Sequence, residues 1–132
     1  MSCVADTSAI VSLLLKEPSW DWITETLEQS AEAFISAPTL VELSIVMRSK
    51  RESSLDARRV VHRLGLTVVS VDEELAWSAA EAWERFGRGR HAAKLSFGDC
   101  FTYALAEARD LPILCVGNDF TLTDLPVLCP PA

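Results

Sequence analysis

The segment Cys3-Val4-Ala5-Asp6-Thr7-Ser8-Ala9-Ile10-Val11-Ser12-Leu13-Leu14-Leu15 decides the fold. Its first three residues are small or apolar and run directly into an acid. A strand this short and this apolar suits a sheet covered on both faces, where the usual alternation with polar residues is lost. Asp6 then stands where a helix begins, a position that favours acids because their oxygens accept from the free N–H groups of the first turn. Residues 8–15 continue as an apolar helix, and Pro18 ends it. The unit is strand, acid, helix, with the acid at the carboxyl end of the strand.

The same alternation continues along the chain. Residues 20–30 read as a second helix, with Trp20, Ile23, Leu27 and Ala31 on one face. Residues 33–36 form the next strand, and Pro38 suits the first turn of a helix running to about Lys50. Residues 54–64 are helical and stop at Gly65; residues 66–71 are β-rich. Asp72 caps a helix that runs to Phe86, with Leu75, Ala79, Ala82 and Phe86 in a stripe. A Gly/Arg loop follows. Residues 96–109 form a helix, 112–116 a strand and 127–129 an edge strand. Strands separated by helices imply an α/β fold with a parallel sheet between two helical layers. In such folds ligands bind beyond the carboxyl ends of the strands. Asp6 lies there, as do Asn118 and Asp119 after the fourth main strand.

Composition narrows the class. The 132 residues suit one domain, residues 1–132. Hydrophobic residues at 49% and charged residues at 23% describe a globular chain rather than a disordered one. No apolar run approaches the ~18 residues that cross a membrane. Met1 leads straight into a strand with no basic leader, so no membrane association and a cytoplasmic location are expected. Cys3, Cys100, Cys115 and Cys129 are widely spaced with no CxxC pair, which favours reduced, mostly buried thiols over zinc or a disulfide framework.

The net charge of −7 argues against a polyanion partner, but its distribution does not. Residues 1–47 hold seven acids and one base, Lys16. Six bases lie between Arg48 and Arg63 and four between Arg85 and Lys94. Local field, rather than total charge, steers a polyanion. Arg88 and Arg90, beside Gly87 and Gly89, are the expected contacts to the backbone of such a polyanion, because glycine lets a loop approach a strand closely.

Four acids stand out: Asp6, Glu42, Asp99 and Asp119. Three have local explanations. Asp6 can cap a helix, Ser96-Phe97-Gly98-Asp99 is a capping box, and Asp119 can fold an Asx-turn. Glu42 sits among Leu40, Val41, Leu43, Ile45 and Val46, so it lies on a narrow exposed stripe or turns inward. Asp6 and Asp119 follow strands that end on one edge, while Glu42 and Asp99 are expected in the first turns of helices beginning there. Carboxylates gathered in this way repel unless protonated or neutralised by a cation. No Lys or Arg adjoins any of them in sequence. Hard divalent ions such as Mg²⁺ or Mn²⁺ prefer such oxygen ligands. These four acids are the candidate ligands of such an ion.

These motifs resemble a known family. Val4-Ala5-Asp6-Thr7-Ser8-Ala9 looks like the first strand and turn of PIN-domain nucleases, and Ala37-Pro38-Thr39-Leu40-Val41-Glu42 resembles their second acidic motif. Leu95-Ser96-Phe97-Gly98-Asp99-Cys100-Phe101-Thr102-Tyr103-Ala104 is similar to the third, and Val116-Gly117-Asn118-Asp119-Phe120 to the fourth. The resemblance is strongest to the VapC-type toxins of bacterial toxin–antitoxin pairs. It implies a three-layer α/β/α sandwich with a short, mostly parallel sheet of four to five strands. It also implies a Mg²⁺- or Mn²⁺-dependent endoribonuclease, often a homodimer, paired with an antitoxin protein. It further implies that Asp6 and Asp99 bind the metal, with Glu42 and Asp119 in support, and that Thr7 holds the site through its hydroxyl. Asn118 stands where some relatives carry a further acid, and Asp124 is close enough in sequence to compensate.

Two other functions share parts of this pattern. A phosphoaccepting receiver has similar length, and Asp72 follows the third strand as its phosphoacceptor would. However, Thr7 replaces the second acid expected beside Asp6. A non-catalytic PIN-like module binding RNA or protein would be marked by loss of an acid, whereas all four are present. Trp22 and Trp77 fall off the apolar stripes of their helices and are the expected dimer contacts. A basic partner segment would be drawn to the acidic first third of the chain.

Overall fold

Most helices in the protein start on a side chain that satisfies their free N–H groups. Asp6 accepts from the amide of Ser8, Ser36 from Thr39, Asp56 from Arg58, Asp72 from Leu75 and Ser96 from Asp99. The computed structural model describes residues 1–50 and 56–131. Its elements run β1 (Cys3–Ala5), α1 (Thr7–Leu14), α2 (Trp20–Gln29), β2 (Ala33–Ser36), α3 (Ala37–Ser49) and α4 (Ala57–Arg63). They continue with β3 (Leu66–Val69), α5 (Glu73–Phe86), α6 (Phe97–Arg109), β4 (Ile113–Leu114), a 3-10 turn (Phe120–Leu122) and β5 (Val127–Leu128).

Among the described residues the sheet has five strands in the order β3-β2-β1-β4-β5, every pair parallel. Val4 pairs with Phe34 on one side and Ile113 on the other. Side chains alternate between two cores, as the pleat requires. Val4, Phe34, Ile113 and Cys115 pack with Phe86, Tyr103 and Leu105 of α5 and α6. Cys3, Ala5, Ile35 and Leu114 pack with Ile10, Ile23, Leu43 and Met47 of α1, α2 and α3. Strand order reverses at β1, and ligands of open α/β sheets bind at such a switch point. Among the described residues no helix is long and apolar enough to cross a membrane.

The structure amends several expectations. The third strand stops at Val69 and the fourth is only two residues long. The expected helix start at Ser54, and Arg51 of the basic segment, lie outside the described residues. Trp22 is half-buried against the α1–α3 core rather than exposed, because α2 packs over a wider arc than its main stripe. Trp77 is exposed, but its indole N–H donates to Glu73 of its own helix. Asp72 is used as the α5 cap and follows β3, an edge strand, so the receiver reading loses its phosphoacceptor site. Arg48 and Lys50 lie at the end of α3, far from its acid-bearing start. Arg63 ends α4 where the chain returns to the amino end of β3, so Arg48, Lys50 and Arg63 lie away from the strands' carboxyl ends.

Candidate active site

Asp6 continues β1, and its amide donates to Leu114 O at 2.9 Å. Its side chain is 4% exposed. Oδ2 accepts from the Ser8 amide at 3.1 Å and Oδ1 from the Thr102 hydroxyl at 3.2 Å. Thr102 belongs to a buried polar row: its Oγ1 is 3.5 Å from that of Thr39, which is 3.0 Å from Ser36 Oγ. Among the described residues no cation forms an ion pair with this carboxylate. Burial, followed by the charge of Asp99, pushes its pKa up to about 6 against the opposing Ser8 bonds, with Glu42 adding a smaller upward push.

Glu42 sits in the second turn of α3, not the first as expected, and it turns inward. Its Oε1 accepts from the Thr7 hydroxyl at 2.9 Å, so Thr7 holds this acid from the start of α1. Partial burial raises the Glu42 pKa, Thr7 opposes the rise, and the charge of Asp99 adds to it. Gly98, two residues past the Ser96 cap of α6, faces the same carboxylate; a β-carbon there would collide with it.

Asp99 has the local role that its motif announced. Its Oδ2 accepts from the Ser96 amide at 2.9 Å, and its own amide donates to Ser96 Oγ at 3.3 Å. The capping box engages Oδ2 of its carboxylate. Burial raises the Asp99 pKa first, Asp119 raises it further, and the Ser96 bonds and the charge of Arg88 pull it back. Asp119 precedes the 3-10 turn, is exposed, and makes no side-chain cap bond, so the Asx-turn explanation does not hold. Asn118 is exposed beside it; its carbonyl accepts from Thr121 Oγ1 at 2.6 Å.

Thus Asp6, Glu42, Asp99 and Asp119 act on one another electrostatically across four separate segments. Arg88 reaches their edge, while Arg90 stacks 4.6 Å over the Trp83 ring. Asp124 is not among them. Its carboxylate accepts from the Tyr103 hydroxyl, and its Oδ2 takes Arg85 Nη2 at 2.9 Å, so it does not compensate for Asn118. The reason is reach: the 3-10 turn carries Asp124 to the α5–α6 side.

Among the described residues no three carboxylates are drawn together into a closed ligand set. The donor chemistry nevertheless fits a hard divalent cation. Three of the acids carry raised pKa values from burial and from one another, the electrostatic condition a bound cation relieves.

Sequence reasoning missed Thr102, Thr39, Gly98 and Tyr103 as parts of this site. Ser36-Ala37-Pro38-Thr39 has a hydroxyl at the cap position, but nothing local marks Thr102 as a partner of Asp6, 96 residues earlier. Sequence spacing also hid a thiol pair: Cys115 and Cys129, on register-matched neighbouring strands, bring their sulfurs to 3.3 Å as free thiols. Burial and the Cys129 contact push the Cys115 thiol well up, so it stays protonated.

The PIN-domain family model matches residues 3–125. Ribonuclease VapC42 of Mycobacterium tuberculosis is 40% identical over 129 residues, covering 96% of this chain and 98% of that protein. Ribonuclease VapC36 of the same organism is 41% identical over 127 residues, covering 92% and 90%. Among solved structures, M. tuberculosis VapC20, a Sarcin-Ricin loop cleaving toxin, superposes with a TM-score of 0.74 at 17% identity over 97% of this chain and 99% of that one. A toxin–antitoxin complex from Klebsiella pneumoniae gives 0.72 at 16% identity, covering 96% of each chain. With its parallel five-stranded sheet between helices and its acids at the switch point, the chain belongs to the PIN-domain family, on the branch whose curated relatives are VapC ribonucleases.

Proposed function

We propose that this protein is a metal-dependent endoribonuclease and the toxin of a toxin–antitoxin pair. One observation carries the proposal: acids from four separate segments act on one another at one edge of the sheet, and among the described residues none of them forms an ion pair, in a chain about 40% identical to VapC ribonucleases. Asp6 and Asp99 would hold a Mg²⁺ or Mn²⁺ ion, with Glu42 and Asp119 in support. When bound, the ion supplies Lewis-acid charge and acidifies a water for attack on an RNA phosphodiester. The chain's own residues prepare the site. Thr102 and the Ser8 amide fix both oxygens of Asp6. Thr7 orients Glu42, and the Ser96 box orients Asp99. Arg88, at the rim, is placed to hold a backbone phosphate and offset repulsion between the acids and RNA.

The partner proposals follow from the surface. The acidic first third of the chain favours a basic antitoxin segment. An apolar groove of about 590 Å³ borders Glu42, lined by Pro38, Val41, Ile45, Val71 and Phe97. Val41, Ile45 and Phe97 are 58%, 60% and 79% exposed, a cost that a monomer does not recover. We propose this patch, ahead of Trp22 and Trp77, as the homodimer contact.

The test is incubation of a mixed RNA pool with wild type and Asp99→Asn, in Mg²⁺, Mn²⁺ or EDTA. Metal-dependent cleavage lost in the variant is expected. RNA binding without cleavage by wild type in either metal would leave the non-catalytic PIN-like module instead.

A further inference from the structure

Tyr103 lies one helical turn beyond Asp99 on α6. Its side chain is buried among Phe86 and the core, with its hydroxyl emerging to donate to Asp124. Asp124 is also held by Arg85, Nη2 to Oδ2 at 2.9 Å; the Arg85 Nη1 lies 3.4 Å from the Tyr103 hydroxyl and 3.7 Å from Glu107. Both Asp124 oxygens are thereby committed, and the Tyr103 bond, ahead of Arg85, holds its pKa below the usual range.

Asp124 follows Asp119 by five residues in the connection from β4 to β5. That connection leaves β4 through Gly117, at φ +97°, a conformation that L side chains rarely adopt. Beyond it the chain is tightened by hydroxyl bonds from Thr121 to Asn118 O at 2.6 Å and from Thr123 to Phe120 O at 2.7 Å. Phe120 plugs the core at 3% exposure. Asp119 itself is exposed and has no side-chain cap bond. Among the described residues, the Tyr103–Asp124 bond is the polar side-chain link between α6 and this connection.

We propose that Tyr103 and Asp124 form a clasp that sets Asp119 against Asp99, making Tyr103 a positioning residue for the acidic site; this rests on the reading of those acids as cation ligands. Asp99 and Tyr103 share one rigid helix, and Asp119 and Asp124 share one short stiffened segment. Joining Tyr103 to Asp124 therefore fixes the separation of the two acids. A phenol on a carboxylate is a charge-assisted, directional bond, stronger than a neutral one. Arg85 prevents the carboxylate from rotating away. Small misplacement of a reacting group costs up to about 10²-fold in rate, so a remote clasp can matter.

The experiment uses the full chain as wild type, Tyr103→Phe, Asp119→Asn and the double variant. Mn²⁺ binding is followed by the loss of its free-ion paramagnetic resonance signal, and cleavage of the RNA pool is followed over graded Mn²⁺. Tyr103→Phe should raise the Mn²⁺ needed for half-maximal cleavage roughly 10-fold, with RNA KM at saturating Mn²⁺ unchanged. Because Tyr103 acts through Asp119, the double variant should be little worse than Asp119→Asn alone. Asp124→Asn, which keeps an acceptor for the phenol, should be milder than Tyr103→Phe; Asp124→Ala, which removes the acceptor, replaces Tyr103→Phe in the comparison should that variant fail to fold. Full additivity overturns the clasp and leaves Tyr103 as packing. So does unchanged Mn²⁺ binding in Tyr103→Phe where Asp119→Asn impairs it. If Asp99→Asn retains both Mn²⁺ binding and cleavage, the reading of the acids falls, and the clasp falls with it.

Discussion

Gly98 stands against Glu42 so closely that a β-carbon at position 98 would occupy the space of the Glu42 carboxyl group. The contact joins the first turn of α6, which carries Asp99, to the second turn of α3, and Thr7 holds the same carboxylate at 2.9 Å from the other side. Glycine inside a helix normally costs about 0.5–1 kcal/mol relative to alanine. Its presence here is explained by the space that the acid needs.

Gly98→Ala should therefore separate stability from activity. The helix gains about 0.5–1 kcal/mol in propensity, while the Thr7–Glu42 bond, worth about 1 kcal/mol, is disrupted. Thermal stability should stay within about 1 kcal/mol of wild type. RNA cleavage should fall at least ~10-fold, because Glu42 is displaced from the acids. Unaltered cleavage would show that Glu42 is dispensable.

Asp6→Asn should stabilise the metal-free protein while abolishing its cleavage. The folded pKa of Asp6, about 6, lies above its ordinary value of 3.8. Folding thus favours the protonated acid: its stabilising share is complete below pH ~4, falls as pH rises through ~6, and is gone above that. At pH 7.5 the buried charge costs up to about 3 kcal/mol, from a shift of about two units. Asn keeps the α1 cap with its carbonyl oxygen, and its amide NH2 donates instead to the Thr102 hydroxyl, which turns to accept. Denaturant unfolding of wild type in EDTA should show stability declining between pH 4 and 6, and the variant should show a shallower decline, left by the raised Glu42 and Asp99. Mn²⁺ should restore wild-type stability at pH 7.5 and leave Asp6→Asn unmoved. A variant no more stable than wild type at pH 7.5 would falsify the assignment of a destabilising charge to Asp6.

Arg88 and Arg90 are separable. Arg88 acts on Asp99, whereas Arg90 is occupied on Trp83 at 4.6 Å. Removing one phosphate contact should reduce the salt dependence of RNA binding by ~0.7 in slope for a single strand. Arg88→Ala should show that reduction and Arg90→Ala a smaller one. Affinity measured against salt with Asp99→Asn protein, which binds without cutting, provides the check. Equal slopes for all proteins would return both arginines to the solvated loop.

Self-association is tested at Ile45. A charge at this 60% exposed position costs the monomer fold little, since surface substitutions usually stay within about 0.5 kcal/mol. Sedimentation of wild type should show a species near twice 14.5 kDa. Ile45→Lys should be monomeric and Trp77→Ala unchanged; the reverse pattern moves the interface to α5.

Much of the fold was legible because it rests on local rules. The caps at Asp6, Ser36, Asp72 and Ser96 lie within three residues of the amides they bind, so short windows reveal them. The apolar strands announce a sheet covered on both faces, and their alternation with helices implies parallel pairing. The acids were legible as residue types and as ends of strands or starts of helices. Their motifs carried the family as well.

What tertiary structure alone decided is which distant groups meet. Asp99 reads as a capping box and is one, yet its charge acts on Asp6 only because α6 packs beside β1. Asp124 looks like a neighbour of Asp119, but the 3-10 turn sends it to Tyr103. Trp22 looks exposed on a helical wheel, but the packing of α2 half-buries it. Caps and periodicity act over three or four residues, which a sequence displays directly. The partnership of Thr102 with Asp6, and the room Gly98 leaves for Glu42, depend on segments 56 to 96 residues apart, and only the assembled sheet sets their distances.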